Sequence, residues 1–395
     1  MAEISLMPLA GINTVAEDAA LKRGGNTPCV YLRDAVNVDI STAGKATLRA
    51  GARKVSASAF THLWQSPLHG DVFGVLAGEW GRVDPASWSF TSLMTVGEGD
   101  VAHTVLNTLV CAATPAGIVT YDGETAKRLT LDTPAAPFVL AGAGSLPAGT
   151  YGVAVAWLRG TMESALSDVA TVEVPESGAL DITLPFCLDG SATGARLYLT
   201  TPDGGELRRE HDYATSATIS ISVLPELGAP ATFRHLSPMP TGRYLAYWRG
   251  RLLTAKGGVL RFSEPLAYHL HDERHGFIQM PQRITFLLPV EGGIWVGQVD
   301  HVAFLAGTSP NELAVSRKAA GAPVPGSAIA LPAEVAGTNA SPDGSPVAVW
   351  LAENGYVMGA VNGQLSEPHA GILSGVCGEA GASVLLDRRL MTVVN

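Results

Sequence analysis

Cysteine is scarce: four residues in 395, Cys29, Cys111, Cys187 and Cys377, all far apart. None forms a CxxC pair, so neither a zinc ribbon nor a dithiol redox site is signalled. They read as small buried apolar residues, compatible with synthesis in a reducing cytoplasm. Charge is also sparse, at 16% of residues, with a net charge of −10. That balance argues against a protein that coats nucleic acid, though not against an acidic wall past which DNA slides without sticking. No uninterrupted apolar run is long enough to span a bilayer. Residues Met1 to Ala10 carry a short apolar patch without a basic start, unlike a secretory signal. The chain also has no G-x-S-x-G elbow, H-E-x-x-H, P-loop or Rossmann glycine pattern. No catalytic, cofactor-binding or metal residue is therefore assigned.

What is present is turn chemistry and short apolar runs. With 44 Gly, 25 Pro and 47% hydrophobic residues, the chain can hold a sizeable core with frequent turns and few long helices. Gly242 to Leu270, GRYLAYWRGRLLTAKGGVLRFSEPLAYHL, reads as three strands separated by the turns Arg249-Gly250 and Lys256-Gly257-Gly258 and closed by Ser263-Glu264-Pro265. The same order of runs and turns recurs at His62–Pro85, His103–Gly123, Leu287–Gly307 and Ala348–Pro368. A last copy, Ser383–Asn395, stops halfway. Repeated small antiparallel sheets predict blades of a β-propeller, with strands of Val30–Arg53 completing the final half-blade. A β-sandwich or two small β-domains is the alternative.

Between the linkers Thr133–Pro137 and Pro238–Pro240 the rhythm changes. Tyr151, Val153, Val155 and Trp157 alternate; so do Leu180, Ile182, Leu184 and Phe186, then Leu197 and Leu199, then Ile219, Ile221 and Val223. This predicts an inserted immunoglobulin-like or fibronectin type III-like sandwich, the other reading being further blades. The expected fold class is all-β. The expected layout is an N-terminal arm over 1–29, one propeller part over 30–132, the sandwich over 138–233, and a second propeller part with the closing half-blade over 238–395. The arm is read as largely extended and as a candidate to dock on a neighbouring subunit, with a helical turn over Glu17–Arg23.

Several polar groupings have the residue types of a chemical site. His269, His271, Asp272, Glu273 and His275 are residue types of a metal site, but a solvated loop between blades accounts for them better. Ser341–Ser345 and Thr201–Gly205 resemble the Asp-box turns of sialidases but lack the terminal Trp at the required spacing, and ordinary hairpin chemistry suffices. Arg243, Arg249, Arg251 and Arg261 with Tyr244, Tyr247 and Trp248 have the composition of a single-strand nucleic-acid surface, but fit better as strand alternates or as a subunit interface. Tyr244, Tyr247, Trp248, Arg249 and Arg251 are the interface candidates.

Three stretches together resemble the nozzle (tail tubular protein B-like) proteins of short-tailed bacteriophages: Leu32–Gly51 (LRDAVNVDISTAGKATLRAG), Leu245–Leu270 and Ile284–Gly307. The resemblance spans most of the chain, with the sandwich as an insertion, and rests on repeated phrases and not on catalytic residues. It implies a structural, non-enzymatic virion protein made in the bacterial cytoplasm. Six copies would form a ring below the portal and its adaptor, continuing the DNA ejection channel and anchoring fibre or needle proteins. DNA would pass transiently, without stable sequence-specific binding, and no cofactor is implied. The alternatives are a propeller glycosidase or lyase acting on surface polysaccharide, or a receptor-binding tail module.

Overall fold

The structure is a computed structural model that describes residues 7–24, 28–51, 53–232, 235–337, 341, 344–386 and 388–395. It is an all-β, propeller-like fold of four-stranded meanders with an inserted β-sandwich. The chain forms two compact units, Phe60–Gln279 and the combination of Met1–Ala59 with Met280–Asn395.

In Phe60–Gln279 the first meander runs Thr61–Gln65, Val72–Leu76, Glu79–Val83, Phe90–Thr95. The second runs Ala102–Leu106, Leu109–Thr114, Gly117–Tyr121, Ala126–Arg128. Successive side chains of a strand point to opposite faces, and here both faces are covered. Val110, Ala112, Val119 and Tyr121 pack on Phe73, Val75 and Trp80 of the first sheet. Cys111, Ala113 and Ile118 pack on Leu245 and Leu252 of the third. A sheet buried on both sides by its neighbours is the packing of a propeller blade. It also explains why the middle strands read as nearly continuous apolar runs.

The third meander runs Tyr244–Trp248, Arg251–Lys256, Val259–Phe262, Phe277–Gln279. Its first two strands are joined by Arg249-Gly250 with φ of 45° and 73°. Ala77-Gly78 joins two strands of the first meander with φ of 51° and 76°. Two consecutive left-handed residues give the hairpin turn whose twist matches that of the strands, and glycine at the second position makes it accessible.

The insert is a sandwich of two sheets. Phe138–Leu146, Gly178–Thr183 and Thr218–Ile221 form one; Met162–Glu163, Gly149–Arg159, Gly194–Leu199 and Arg208–Tyr213 form the other, with Ala170–Val174 also paired to Gly149–Arg159. Tyr151, Val153, Val155, Trp157, Leu180, Ile182, Leu197 and Leu199 make its core as the alternation predicts. The Tyr151 hydroxyl donates to the Pro147 carbonyl at 3.0 Å, tying the strand start to the preceding turn. Two expected core residues fall outside: Phe186 is 87% and Val223 66% exposed. The alternation that includes them continues past the strand ends at Thr183 and Ile221, where the chain leaves the ladder and period 2 no longer dictates a face.

In the second unit two meanders follow one another: Ile284–Val290, Gly293–Gln298, Val302–Ala306, Ala314–Lys318, then Ile329–Leu331, Val347–Ala352, Gly355–Gly359, Leu365–Ser366. Phe286, Trp295, Phe304 and Trp350 pack between them, with the Trp295 and Trp350 ring centres 5.4 Å apart. The terminal hairpin Gly381–Leu386 with Arg389–Val394 packs Leu385 and Leu390 on Leu331, Val347 and Val349. Among the described residues this hairpin stays two-stranded, and the expected completion by Val30–Arg53 is not made. Val38–Ile40 instead pairs with Ala46–Leu48, and Cys29–Leu32 lies between Leu9–Ile12 and Lys22–Arg23. A five-residue link, Ser41-Thr42-Ala43-Gly44-Lys45, closes the local hairpin at a small loop entropy, whereas pairing to the far end of the chain closes a long loop. The arm turns back on its own chain: Thr14 N–H donates to the Ile372 carbonyl at 2.9 Å, and Ser374 N–H to Thr14 Oγ1 at 2.9 Å. The expected helical turn is a short 3₁₀ segment, Asp18–Ala20, followed by the strand Lys22–Arg23.

Candidate functional site

The five interface candidates lie in one hairpin but do not form one surface. Leu245, Ala246 and Trp248 are buried, whereas Tyr247 is 41% exposed. Trp248 packs on Phe262 with ring centres 6.1 Å apart and belongs to the core. Arg251 is half-buried and donates from Nη1 to the Ser263 carbonyl at 2.5 Å. Tyr244 is half-buried beside the Arg243 guanidinium, 5.8 Å from its ring centre. Tyr247 and Arg249, at the turn, are the exposed pair. The Tyr247 hydroxyl accepts the Gly250 N–H at 3.2 Å, which fixes it over the turn.

The histidine cluster is dispersed into structural contacts. His271 is buried and its Nδ1 meets the Phe262 carbonyl at 3.0 Å. His275 reaches Asp272 at 3.2 Å on an exposed turn. His269 bonds through Nε2 to the Glu163 carbonyl at 2.8 Å. Among the described residues no three His, Cys, Asp or Glu side chains are grouped to hold a metal ion. Pro342 and Asp343 of the first Asp-Gly turn lie outside the described residues. In the second, Asp203 Oδ1 accepts the Thr150 N–H at 2.9 Å, the work of a turn residue.

The His269–Glu163 contact leads to a cavity of about 690 Å³ within Phe60–Gln279, between sandwich and blade residues. Glu163 is 4% exposed and paired on both oxygens: Oε1 accepts the Tyr198 hydroxyl at 2.5 Å and Oε2 accepts Arg196 Nη1 at 2.7 Å. Arg196 also donates from Nε and Nη2 to the two oxygens of Asp212, at 2.8 and 2.9 Å. Arg209 Nη2 donates to the same Asp212 Oδ2 at 2.9 Å. The Arg196 hydrogen bonds hold the Asp212 carboxyl below its ordinary range. Burial, followed by the bond to Glu163, pushes the Tyr198 phenol up. Burial pushes His269 down, so its imidazole is neutral at pH 7; because a carbonyl only accepts, Nε2 carries the proton.

Sequence reasoning missed Glu163, Arg196, Tyr198, Arg209 and Asp212. A signal exists: Arg196 and Tyr198 alternate with Ala195 and Leu197 in one strand, placing two polar groups on one face of an otherwise apolar run.

No protein-family model matches the chain, and no curated protein matches it. Among solved structures, the chain is similar to the extracellular domain of a one-component system from B. thetaiotaomicron. That match has 11% identity and a TM-score of 0.32, over 85% of this chain and 37% of the other, so this chain spans little more than a third of that length. It is similar to BBS1N, from a complex with ARL6DN, at 13% identity and a TM-score of 0.33, over 85% of this chain and 90% of that one. A chain of the Mitotic Checkpoint Complex matches at 11% identity and a TM-score of 0.31, over 80% of each.

Proposed function

We infer that this chain is a structural component of a short-tailed bacteriophage virion, a nozzle-like subunit. In this reading about six copies close a ring below the portal adaptor, DNA passes through it during ejection, and fibre or needle proteins attach to it. The observation that carries the reading is the likeness of Leu32–Gly51, Leu245–Leu270 and Ile284–Gly307 to nozzle proteins; the latter two fall in blade sheets. Blades with short, protected edges make rigid wedges suited to rings. A net charge of −10 suits a channel wall that repels phosphate. The exposed Tyr247 and Arg249 supply residue types enriched at subunit contacts.

Quantitative mass spectrometry of gradient-purified particles tests this. The chain is expected among the virion proteins at a constant ring stoichiometry. Its absence from purified particles would contradict the reading, as would reproducible cleavage of host polysaccharide by the purified protein.

A further inference from the structure

The 690 Å³ cavity within Phe60–Gln279 falls in the size range of small-ligand sites, about 300–1,000 Å³. Leu106, Leu109, Leu129, Pro230 and Leu266 give its wall an apolar part; Glu163, Arg196 and Arg209 give it a charged one. The hydrogen-bond inventory decides which sign of ligand fits. Glu163 accepts one hydrogen bond on each oxygen, from Tyr198 and from Arg196, and the Arg196 guanidinium already balances its charge, so it offers an incoming cation no unpaired charge. Arg196 is engaged from three nitrogens by Glu163 and Asp212. Arg209 is different. Its guanidinium makes one side-chain bond, from Nη2 to an Asp212 oxygen that Arg196 also uses. Among the described residues its Nε and Nη1 donors have no partner, on a side chain that is 45% exposed and lines the cavity.

Leu266 is the second observation. It lines the cavity yet is 77% exposed, so it stands where the cavity opens to solvent. Its φ is 59°, a left-handed backbone that is unfavourable for leucine, and its N–H is bonded to the Gly250 carbonyl at 2.8 Å. Burial of the side chain does not compensate for that backbone; the hydrogen bond to Gly250 holds it, and the side chain it projects is an apolar surface at the cavity mouth.

We propose that this cavity binds a carboxylate carried on an apolar body, with Arg209 taking the carboxylate and the leucine-lined wall taking the body. A guanidinium offers a planar pair of donors that matches a carboxylate, and an apolar body recovers free energy by leaving water against Leu266 and its neighbours. A free aliphatic acid and the C-terminal residue of a peptide share this chemistry. The assignment does not rest on the virion reading and stands or falls apart from it.

Calorimetric titration of the full chain with octanoate, octanol, N-acetyl-leucine and N-acetyl-leucinamide tests the site. Each acid is expected to bind at least about ten-fold more tightly than its uncharged counterpart. Arg209→Gln is expected to abolish that preference and Arg209→Lys to restore part of it. Leu266→Asp, on an exposed residue, places a like charge at the mouth and is expected to weaken the acids more than octanol; it keeps the test independent of any effect of Arg209 on the sandwich. Tighter binding of N-acetyl-leucine would identify a chain terminus as the source, and tighter binding of octanoate a free acid. Absence of binding by both acids at millimolar concentration, equal binding of acid and uncharged probe, or an acid preference untouched in both Arg209→Gln and Leu266→Asp would overturn the proposal.

Discussion

His103 carries a pH dependence that follows from one hydrogen bond and its surroundings. The Trp80 indole N–H donates to His103 Nε2 at 3.0 Å, and the Trp64 ring stacks on the imidazole at 5.2 Å. Burial, with a smaller contribution from His62, pushes its pKa down to about 3 from an ordinary 6.5. The unfolded chain therefore binds the proton that the folded one refuses. The stabilisation is complete above pH 6.5 and is lost as pH falls toward about 3, by at most about 1.4 kcal/mol per pH unit for one proton. Denaturant midpoints measured between pH 7.5 and 5 should fall, and His103→Gln should flatten the slope. An unchanged slope in that variant would remove His103 from the account. At the same scale, Ala77 is exposed with φ 51° in a turn that favours Asn-Gly. Ala77→Asn is expected to raise stability by about 0.5–1 kcal/mol, read as a higher thermal midpoint. Trp350 is fully buried between Phe286 and Trp295, so Trp350→Ala should cost about 3–5 kcal/mol in unfolding free energy. Trp80, Trp295 and Trp350 are core because the strands that carry them are buried on both faces. The Glu163–Arg196–Asp212 network was not legible in the sequence, because its members are brought together only when strands distant in sequence pair.

Elements were legible in proportion to how completely they are buried. The strands Tyr244–Trp248, Arg251–Lys256 and Val259–Phe262 follow the runs and turns read from the sequence. The fourth strands were missed. Ala314–Lys318 is exposed at four of its five positions, and Ala126–Arg128 is short and basic; an outer strand covered on little of its surface carries no apolar period. The sandwich was legible through Tyr151 to Trp157, where every alternate residue is buried. Its core is made from its own strands, so residues 138–233 expressed alone should give a dispersed amide spectrum; a collapsed, poorly dispersed fragment would contradict an autonomous core. The terminal hairpin is held by Leu385 and Leu390 and by the Tyr356 hydroxyl donating to Thr392 Oγ1 at 2.9 Å. Removing Ser383–Asn395 exposes Leu331, Val347 and Val349. It is expected to lower the thermal midpoint of the unit built on Met280–Asn395, and an unchanged melting profile would show that this packing contributes little.

For the whole molecule, the all-β class and the inserted sandwich could be read from the chain, whereas the partner of the final hairpin could not. Val38–Ile40 and Ala46–Leu48 have the same apolar content whether they pair with each other or with the C-terminus; only the short turn between them favours the local hairpin. The virion reading places the chain's use in its surfaces. Tyr247 and Arg249 at the hairpin tip are exposed, and in that reading they meet a neighbouring copy. Such contacts are heterologous and generate a ring when the rotation between copies closes. Cryo-electron microscopy of the intact particle tests that claim most directly. The account predicts density for this chain as a closed ring of about six copies around the DNA axis, below the adaptor. Density found only in peripheral trimeric spikes, or no density for the chain in purified virions, would contradict it.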